Sequence, residues 1–318
     1  MKALADRVEF HLFHITGEPP EESSVHFHRF KPAWGKLSVI FSRNKFLREV
    51  KKLHPDLCYV LDDGWQMEYM RYCADKLKVP LVIRLRGDYK KISEMKERIY
   101  SRLLRSQLRE NCYGHANLIV PVSERVRQAA LCYGHKNVSE VVPSGVDFDK
   151  FKPTPTPPHE FTVGYAGRLS LEKGINTLCH VASLMPSTHF MVAGRKQFPV
   201  EFPDNVDYLG RLSYHEMPRF MNLSDVIFLP SKTEGMPLTV LEAYSCGKPV
   251  VMAREVFPEE LPAYGAFPSK PGHFDYAEVL DKVRDLPQVD IRSQIKEYTW
   301  ENFGEKMVKL MEGVASDG

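Results

Sequence analysis

The chain of 318 residues contains 43 basic and 41 acidic residues, and 43% of its residues are hydrophobic. A formal net charge of +2 is too small to indicate a nucleic-acid partner. No apolar run approaches the roughly 18 residues that span a bilayer, and the first residues lack the apolar stretch of a signal peptide. We therefore expect two domains of about 150 residues each, located in the cytoplasm.

Short β-rich runs alternate with longer amphipathic stretches in the first half of the chain. This alternation is typical of an α/β domain with a mostly parallel sheet. We predict one N-terminal α/β domain over residues 1–155, with strands at 8–14, 37–41, 57–61, 81–85, 118–122 and 138–142.

A proline-rich stretch over residues 151–159 has four prolines in nine residues and predicts a linker. The alternation then resumes, which predicts a second α/β domain over 156–298. Its predicted strands are 161–166, 189–193, 206–209, 226–229 and 249–252. A final helix over 300–313 lies in a C-terminal segment, 299–318, and has apolar residues at helical spacing.

The first candidate site is the run Tyr165-Ala-Gly-Arg-Leu-Ser-Leu-Glu-Lys-Gly174. A glycine at 167 permits close backbone approach, and a helix that begins near Gly174 would direct its free N–H groups at an anion. Charge-assisted hydrogen bonds contribute roughly 1.5 to 3 kcal/mol each, so Arg168 and Lys173 suit a diphosphate held without a metal. The alternative is that both cations lie on the surface and pair with Glu172.

The second candidate site lies between Asp225 and Val250, where a predicted strand leads through a loop into a helix. Glu234 falls at the start of that helix, where its carboxylate can accept hydrogen bonds from sugar hydroxyls. Glu242 lies about two turns further on and can bind a ribose diol. The alternative is that Glu234 caps the helix and Glu242 is a solvated helix residue.

Several motifs occur in a characteristic order along the chain. Gly-Arg-x4-Lys-Gly is followed by Leu-Gly-Arg-Leu-Ser-Tyr-His-Glu at 209–216 and by Ser-Lys-Thr-Glu-Gly-Met-Pro-Leu-Thr-Val-Leu-Glu-Ala-Tyr-Ser-Cys-Gly-Lys-Pro-Val-Val at 231–251. Upstream lie Ala-Asn-Leu-Ile-Val-Pro-Val-Ser-Glu at 116–124 and Val-Pro-Ser-Gly-Val-Asp-Phe-Asp-Lys-Phe-Lys-Pro at 142–153. This set closely resembles the retaining GT-B glycosyltransferases of family four, over roughly residues 50–312.

The resemblance implies two facing Rossmann-like domains and a C-terminal helix that can cross back to the N-terminal domain. It implies that Arg168 and Lys173 hold the donor diphosphate and stabilise the leaving nucleoside diphosphate, which makes them catalytic together with Glu234. In this family the glutamate matching Glu234 contacts the transferred sugar, and that matching Glu242 contacts the ribose. The other implied donor-binding positions are Gly167, Gly235, Met236, Pro237, Leu238 and Thr239. The implied donor is a UDP-, GDP- or ADP-sugar, and no metal, cofactor or protein nucleophile is implied.

Five further positions are assigned from their place in the sequence. Arg195 and Arg211 are candidates for the base pocket. In the run Arg-Leu-Arg-Gly-Asp at 84–88, where many relatives carry a histidine after the strand, we expect Arg86, Gly87 and Asp88 at the edge of the cleft, with a plain turn as the alternative. The first residues also depart from the family pattern, since the opening strand and glycine-rich loop are not recognisable. This indicates either a naturally shortened N-terminal domain or a sequence whose recorded start is late.

Residues 90–110 hold seven basic residues against three acidic ones. A basic amphipathic helix there can lie on anionic lipid and would give a peripheral membrane contact. The alternative, which we favour, is a solvated helix that packs its apolar face on the core. Histidines 11, 14, 26 and 28 alternate at strand spacing, but we identify no acidic partner near them in the sequence and predict no metal site.

The sequence therefore predicts a retaining hexosyltransferase that uses a nucleoside diphosphate sugar and an unidentified glycan, lipid or small-molecule acceptor. The alternative is a nucleotide-sugar-binding protein with little or no turnover because of the shortened N-terminal domain. A nicotinamide dehydrogenase is disfavoured, because no Gly-x-Gly-x-x-Gly follows a predicted strand.

Overall fold

A computed structural model describes residues 8–14, 25–30, 38–61, 66–88, 90 and 109–316 of the protein. The chain forms two compact units, which we call unit 1 (residues 1–143 and 300–318) and unit 2 (residues 144–299). The division falls between Pro143 and Ser144, earlier than the boundary predicted after residue 155. At Trp300 the chain returns to unit 1.

Unit 1 contains two parallel sheets. The first pairs β1 (Phe10–His14) with β2 (Val25–Arg29), and the second has the order β3 (Cys58–Val60), β4 (Leu81–Leu85), β5 (Leu118–Pro121). All five residues of β4 are buried, as expected for a central parallel strand covered on both faces. The helices described in this part of the chain are α1 (Ser38–Lys51), α2 (Gln66–Leu77) and α3 (Glu124–Cys132), and residues 109–114 are also helical.

The C-terminal helix α9 (Trp300–Ser316) completes the core of unit 1. Its apolar side chains recur every three or four residues, so they form one stripe along the helix. The stripe packs on Val82, Val120 and Val142 and consists of Phe303, Met307, Leu310, Met311 and Val314. This confirms the prediction that the last helix returns to the N-terminal domain.

Unit 2 is built on one six-stranded parallel sheet. Its strand order is β11-β10-β9-β6-β7-β8, with the bounds Thr162–Ala166 (β6), His189–Ala193 (β7), Val206–Gly210 (β8), Val226–Leu229 (β9), Val250–Met252 (β10) and Gly265–Ala266 (β11). The helices are α4 (Ile175–Leu184), α5 (Met217–Leu223), α6 (Leu238–Ser245), α7 (His273–Lys282) and α8 (Ile291–Gln294). The core is dominated by fully buried aliphatic and aromatic side chains of β6, β7, β9 and α4.

The strand order of unit 2 reverses between β6 and β9. From β6 the chain adds β7 and β8 on one side, and it then crosses to add β9 and β10 on the other. In open parallel sheets the loops at the carboxyl ends of the strands separate at such a reversal and form a crevice in which ligands bind. The segments after β6 and after β9 flank this crevice, and they hold the two candidate sites of the sequence.

Two predicted strands are wrong. Residues 38–41 begin α1, because the continuation of the segment follows helical spacing and buries Phe46 and Val50 on one face. In 138–142 only Val138 bridges Ile119, and Pro121 in the neighbouring strand has no N–H to extend the ladder. Strand β2 was not predicted as a strand.

The proline-rich stretch at 151–159 has no helix or strand, as expected, but it is fastened to unit 2. The side chain of Asn222 accepts a hydrogen bond from the Thr154 N–H at 2.8 Å and donates one to the Lys152 carbonyl at 3.0 Å. Arg292 donates to the Phe151 carbonyl. The stretch is therefore the first part of unit 2 and not a free connection.

Candidate functional site

The turn after β6 is shaped by two close backbone approaches. The Tyr165 hydroxyl donates to the Arg168 carbonyl at 2.8 Å, which closes the turn on its own strand. Gly194 lies beside it with φ of +147°, and a Cβ added there would stand 1.7 Å from the Gly167 carbonyl oxygen. Only glycine at 194 permits this spacing, so the backbone of the next strand helps to set the path of the Gly167–Arg168 turn.

The two candidate motifs meet at the end of the Leu171–Lys173 turn. Gly174 has φ of +76°, and a Cβ on it would lie 2.0 Å from the carbonyl oxygen of Pro230, directly after β9. The Lys232 N–H donates to the Glu172 carbonyl at 2.9 Å. Backbone contacts therefore hold together residues that are distant in sequence.

Each of the two candidate cations pairs with a carboxylate. Lys173 Nζ lies 2.6 Å from Glu234 Oε1, with the two side chains 22% and 9% exposed. Arg168 Nη2 lies 2.5 Å from Glu172 Oε1, with the guanidinium side chain 54% exposed and the carboxylate side chain 16% exposed. The alternative of pairing with Glu172 thus holds for Arg168, whereas Lys173 reaches across to the second motif.

Glu242 lies in α6 and is half-buried. Burial raises the pKa of its carboxyl to about 7, since a low dielectric disfavours the charged form. Tyr214 lies near Glu242. Burial is the main cause that raises the pKa of Tyr214 to about 12, and the negative charges of Asp147 and Glu242 add to the shift. Lys150 Nζ stands 3.9 Å from the centre of the Tyr214 ring. The Glu242 carboxyl is therefore about half protonated at pH 7, and the carboxylate predominates only above that pH.

The remaining predicted donor-binding positions lie around the start of α6 and at the ends of β7 and β8. Gly235, Met236 and Pro237 are buried, and Leu238 begins α6. The Thr239 hydroxyl donates to the Ala166 carbonyl at 3.5 Å, which ties α6 to the end of β6.

Arg195 and Arg211, predicted for the base pocket, are exposed on the loops that follow β7 and β8. These loops adjoin, because the Gly194 N–H donates to the Gly210 carbonyl at 2.7 Å. Their part in binding a base stays a prediction.

In unit 1 the run after β4 has Arg86 exposed and Gly87 and Asp88 half-buried. The Tyr133 hydroxyl donates to Asp88 at 2.7 Å, and Lys90 Nζ stands 4.1 Å from the centre of the Tyr133 ring. Residues 91–108 of the predicted basic helix lie outside the described residues, so its contact with lipid stays a prediction.

Arg84, at the end of β4, is the most unusual charged group of unit 1. It is 3% exposed, and its Nη2 has no hydrogen-bond partner in the described part of the chain. Its Nη1 donates to the Pro121 carbonyl at 3.4 Å, and its guanidinium carbon lies 5.1 Å from the centre of the Phe303 ring in α9. Burial lowers the pKa of Arg84 to about 10, and burial raises that of Tyr59, whose hydroxyl also has no partner among the described residues, to about 12.

The histidines of β1 and β2 form a cluster with an acidic residue that the sequence reasoning overlooked. Glu9 Oε1 lies 3.1 Å from His11 Nε2 and 3.3 Å from His26 Nε2, and His11 Nδ1 lies 2.9 Å from His28 Nε2. Among the described residues, no group of three or more histidine, cysteine, aspartate or glutamate side chains has an arrangement that could hold a metal ion.

Within the described ranges, no helix has both the length and the apolar character needed to cross a membrane. The six cysteines are free thiols, and four of them are buried.

Three residues near the site were not predicted as functional: Glu172, Tyr165 and Tyr214. The first two lie inside the quoted motif, but their contacts depend on the shape of the turn after β6 and not on spacing. The proximity of Tyr214 to Glu242 joins the loop after β8 to α6 and leaves no local signal in the sequence.

Two family models match the chain. One, described as Glycosyl transferases group 1, matches residues 146–299, and one described as Glycosyltransferase Family 4 matches residues 1–150. The first match coincides with unit 2, and the second with most of unit 1.

Curated relatives are similar over part of their length. The chain is 25% identical over 228 residues to the GDP-mannose-dependent monoacylated alpha-(1-6)-phosphatidylinositol monomannoside mannosyltransferase of Corynebacterium glutamicum, with 59% of each chain covered. It is 26% identical over 167 residues to the alpha-galactosylglucosyldiacylglycerol synthase of Streptococcus pneumoniae, with 48% of this chain and 44% of the relative covered. The chain thus spans less than two thirds of the length of these relatives.

Among solved structures, Anabaena HepE in complex with UDP and glucose has a TM-score of 0.73 at 17% identity, covering 91% of this chain and 86% of that chain. At this identity the likeness concerns the fold, which has the two Rossmann-like α/β parts of the GT-B architecture.

Proposed function

The chain belongs to the glycosyl transferases of group 1, and we propose that it transfers a hexose from a nucleoside diphosphate sugar to an acceptor, with retention of configuration. The observation that carries this proposal is the contact of 2.6 Å between Lys173 and Glu234. It places a cation suited to phosphate beside a carboxylate suited to sugar hydroxyls, in the crevice where the strand order reverses.

Lys173 and Arg168 supply the charge that a diphosphate requires. As the glycosidic bond breaks, negative charge grows on the leaving nucleoside diphosphate. Cationic donors that are already fixed in place stabilise that charge more in the transition state than in the bound donor. Two side-chain cations can do this without a metal ion, and we include metal independence in the proposal.

The two glutamates recognise the hydroxyl-bearing parts of the donor. The Glu234 carboxylate, which contacts Lys173 Nζ at 2.6 Å, accepts hydrogen bonds from the transferred sugar. Glu242 accepts from the ribose diol once it is ionised. No side chain is assigned as a covalent nucleophile, so in this proposal retention arises from attack of the acceptor on the face that the leaving diphosphate occupies.

The nature of the base and sugar is decided by a binding panel. One of the similar proteins is named as GDP-mannose-dependent, and another was solved in complex with UDP and glucose. The panel therefore contains UDP, GDP and ADP together with UDP-glucose and GDP-mannose, and thermal unfolding is followed with each. A nucleotide present at about 100 times its dissociation constant adds roughly 2.7 kcal/mol to the free energy of unfolding.

We expect the nucleotide that stabilises the wild type against thermal unfolding not to stabilise Arg168→Ala or Lys173→Ala. The matched control is Lys282→Ala, which removes an exposed lysine paired with Glu278 on α7 and should keep the full shift. Equal shifts in the wild type and in both site variants would show that the phosphates bind elsewhere.

Turnover is tested separately from binding. Release of the nucleoside diphosphate from the donor, with and without candidate acceptors, is measured by NMR, which also reports the anomeric configuration of the product. If the protein binds the donor but neither releases nucleoside diphosphate nor transfers the sugar, the alternative of a nucleotide-sugar-binding protein is favoured. A product with inverted anomeric configuration would contradict retention.

A further inference from the structure

We propose that Glu172 is a positioning residue for the diphosphate: its carboxylate holds the Arg168 guanidinium in place before the nucleotide arrives. The inference rests on the proposed function, since it concerns the same anion site. It adds a residue whose role is to act through Arg168 and not to touch the ligand.

The exposure of the two partners differs in the direction that such a role requires. The Glu172 side chain is 16% exposed, whereas that of Arg168 is 54% exposed. One guanidinium nitrogen is bound to the carboxylate at 2.5 Å, and no other protein partner of that guanidinium is found among the described residues. Four of its five N–H donors therefore remain available to an incoming anion.

The backbone of the residue that carries this carboxylate is anchored. The Glu172 carbonyl accepts the Lys232 N–H at 2.9 Å, and the turn that carries it ends at Gly174, which is pressed against the Pro230 carbonyl. The Glu172 backbone is thus anchored in both motifs at once. Arg168, by contrast, is a long side chain on a turn, and its rotamers would otherwise have to be immobilised by the ligand.

An opposing effect has to be weighed. A carboxylate near a diphosphate also repels it, so removal of Glu172 could tighten binding. The guanidinium is more than half exposed, however, and water screens charge interactions at such a position strongly. An anion bound to the other nitrogens of Arg168 lies beyond the guanidinium, so its repulsion by Glu172 acts over a longer distance than the 2.5 Å contact and is screened more. We therefore expect weaker binding when Glu172 is changed.

The test measures dissociation constants by calorimetry for the nucleoside diphosphate selected by the panel and for the corresponding nucleoside. Glu172→Gln and Glu172→Asp both keep the backbone bond to Lys232. Gln removes the charge, and Asp keeps the charge but withdraws it by one methylene. We expect each variant to bind the diphosphate about tenfold more weakly and the nucleoside with unchanged affinity.

A double-mutant cycle asks whether Glu172 acts through Arg168. The variant with both Glu172→Gln and Arg168→Ala should bind the diphosphate no more weakly than Arg168→Ala alone. The control is Glu278→Gln on α7, which removes the carboxylate of an i,i+4 pair with Lys282 far along the chain and should change nothing.

Three results would overturn the inference: unchanged or tighter diphosphate binding in Glu172→Asp, an equal loss of affinity for the nucleoside, or additive effects in the cycle. Melting temperatures of all variants identify any that fail to fold, and the Asp variant then carries the test. A wild type that binds no nucleoside diphosphate would instead reject the proposed function, so the two failures are distinguishable.

Discussion

The charged residues at the carboxyl ends of the two larger sheets differ in whether they are paired with carboxylates. In unit 2, Lys173 and Arg168 each contact a carboxylate of the same site. In unit 1, Arg84 lies at the end of the central strand with one nitrogen unpartnered in the described part of the chain, beside a tyrosine whose hydroxyl also has no partner there.

The difference shows how each unit offsets, or fails to offset, the free-energy cost of removing a charge from water. In unit 2 both cations of the site are paired with carboxylates, which holds them in place. In unit 1 the buried Arg84 guanidinium contacts one carbonyl and one aromatic ring but no carboxylate in the described part of the chain, so its desolvation lowers the stability of that unit. Substitutions at Gly174, Glu242, Arg84 and Lys173 test this contrast.

We expect the largest effect from Gly174→Ala. Gly174 makes the close backbone contact with Pro230 that brings the charged residues of unit 2 together. The new Cβ would meet the Pro230 carbonyl at 2.0 Å in a left-handed backbone conformation. We expect a loss of about 3 kcal/mol in the free energy of unfolding, together with loss of nucleotide binding. Urea denaturation measures the first and calorimetry the second.

Gly134→Ala is the matched control for this variant. Gly134 in unit 1 has φ of +86°, and a Cβ added there would find nothing within 4 Å. It should lose only about 1 kcal/mol, the cost of the left-handed conformation. Equal losses in the two variants would show that the close approach to Pro230 does not matter.

The next effect concerns Glu242, the one site carboxylate of unit 2 whose burial works against its charge. Its folded pKa of about 7 lies above its ordinary value of 4.5, so the folded state binds more protons between these values. Stability from this group is therefore fully present below pH 4.5 and is lost as the pH rises to about 7, by at most about 3 kcal/mol. Affinity for a ribose should rise over the same range.

Glu242→Gln removes the titrating group. Its free energy of unfolding should exceed that of the wild type at pH 8, and the fall in stability between pH 4.5 and 7 should shrink. Denaturant curves across this range provide the measurement. The same slope in both proteins would mean that Glu242 titrates normally.

The smallest effect is expected for Arg84→Met and Lys173→Met, which should change the free energy of unfolding in opposite directions. Replacing the buried guanidinium by an apolar side chain should stabilise unit 1 by about 1 kcal/mol. Replacing Lys173 leaves the Glu234 carboxylate, 9% exposed, without that cation and should destabilise unit 2 by about 1 kcal/mol or more. If Arg84→Met instead lowers the melting temperature, the guanidinium stabilises unit 1.

The buried strands were the most predictable part of the fold. The bounds of β4, β7 and β9 match the predicted ones because each is a short, mostly apolar run that is bounded by proline, glycine or polar residues. The run at 37–41 looks similar, but it is the first part of an amphipathic helix whose period appears only over its full length. Strand β2 was missed although its residues alternate, because the alternation of its histidines was considered only as a possible metal site.

The candidate site was predictable in its residue types but not in its pairing. The spacing of Arg168 and Lys173 indicates an anion site. The pairing of Lys173 with Glu234 depends on β9 lying next to β6 in the sheet. The burial of Arg84 depends on Phe303, which is more than two hundred residues distant in sequence and arrives with α9. Such contacts are set by topology, which local patterns do not encode.

The return of α9 to unit 1 has a consequence for synthesis of the protein on the ribosome. The apolar core under Val82 and Val120 remains open until Met307 and Met311 have left the exit tunnel, whereas the segment of unit 2 is complete by Thr299. Unit 2 can therefore fold first even though it is made second. Premature termination after residue 299 would yield a nascent chain with a finished C-terminal half and an N-terminal half open to chaperones and proteases.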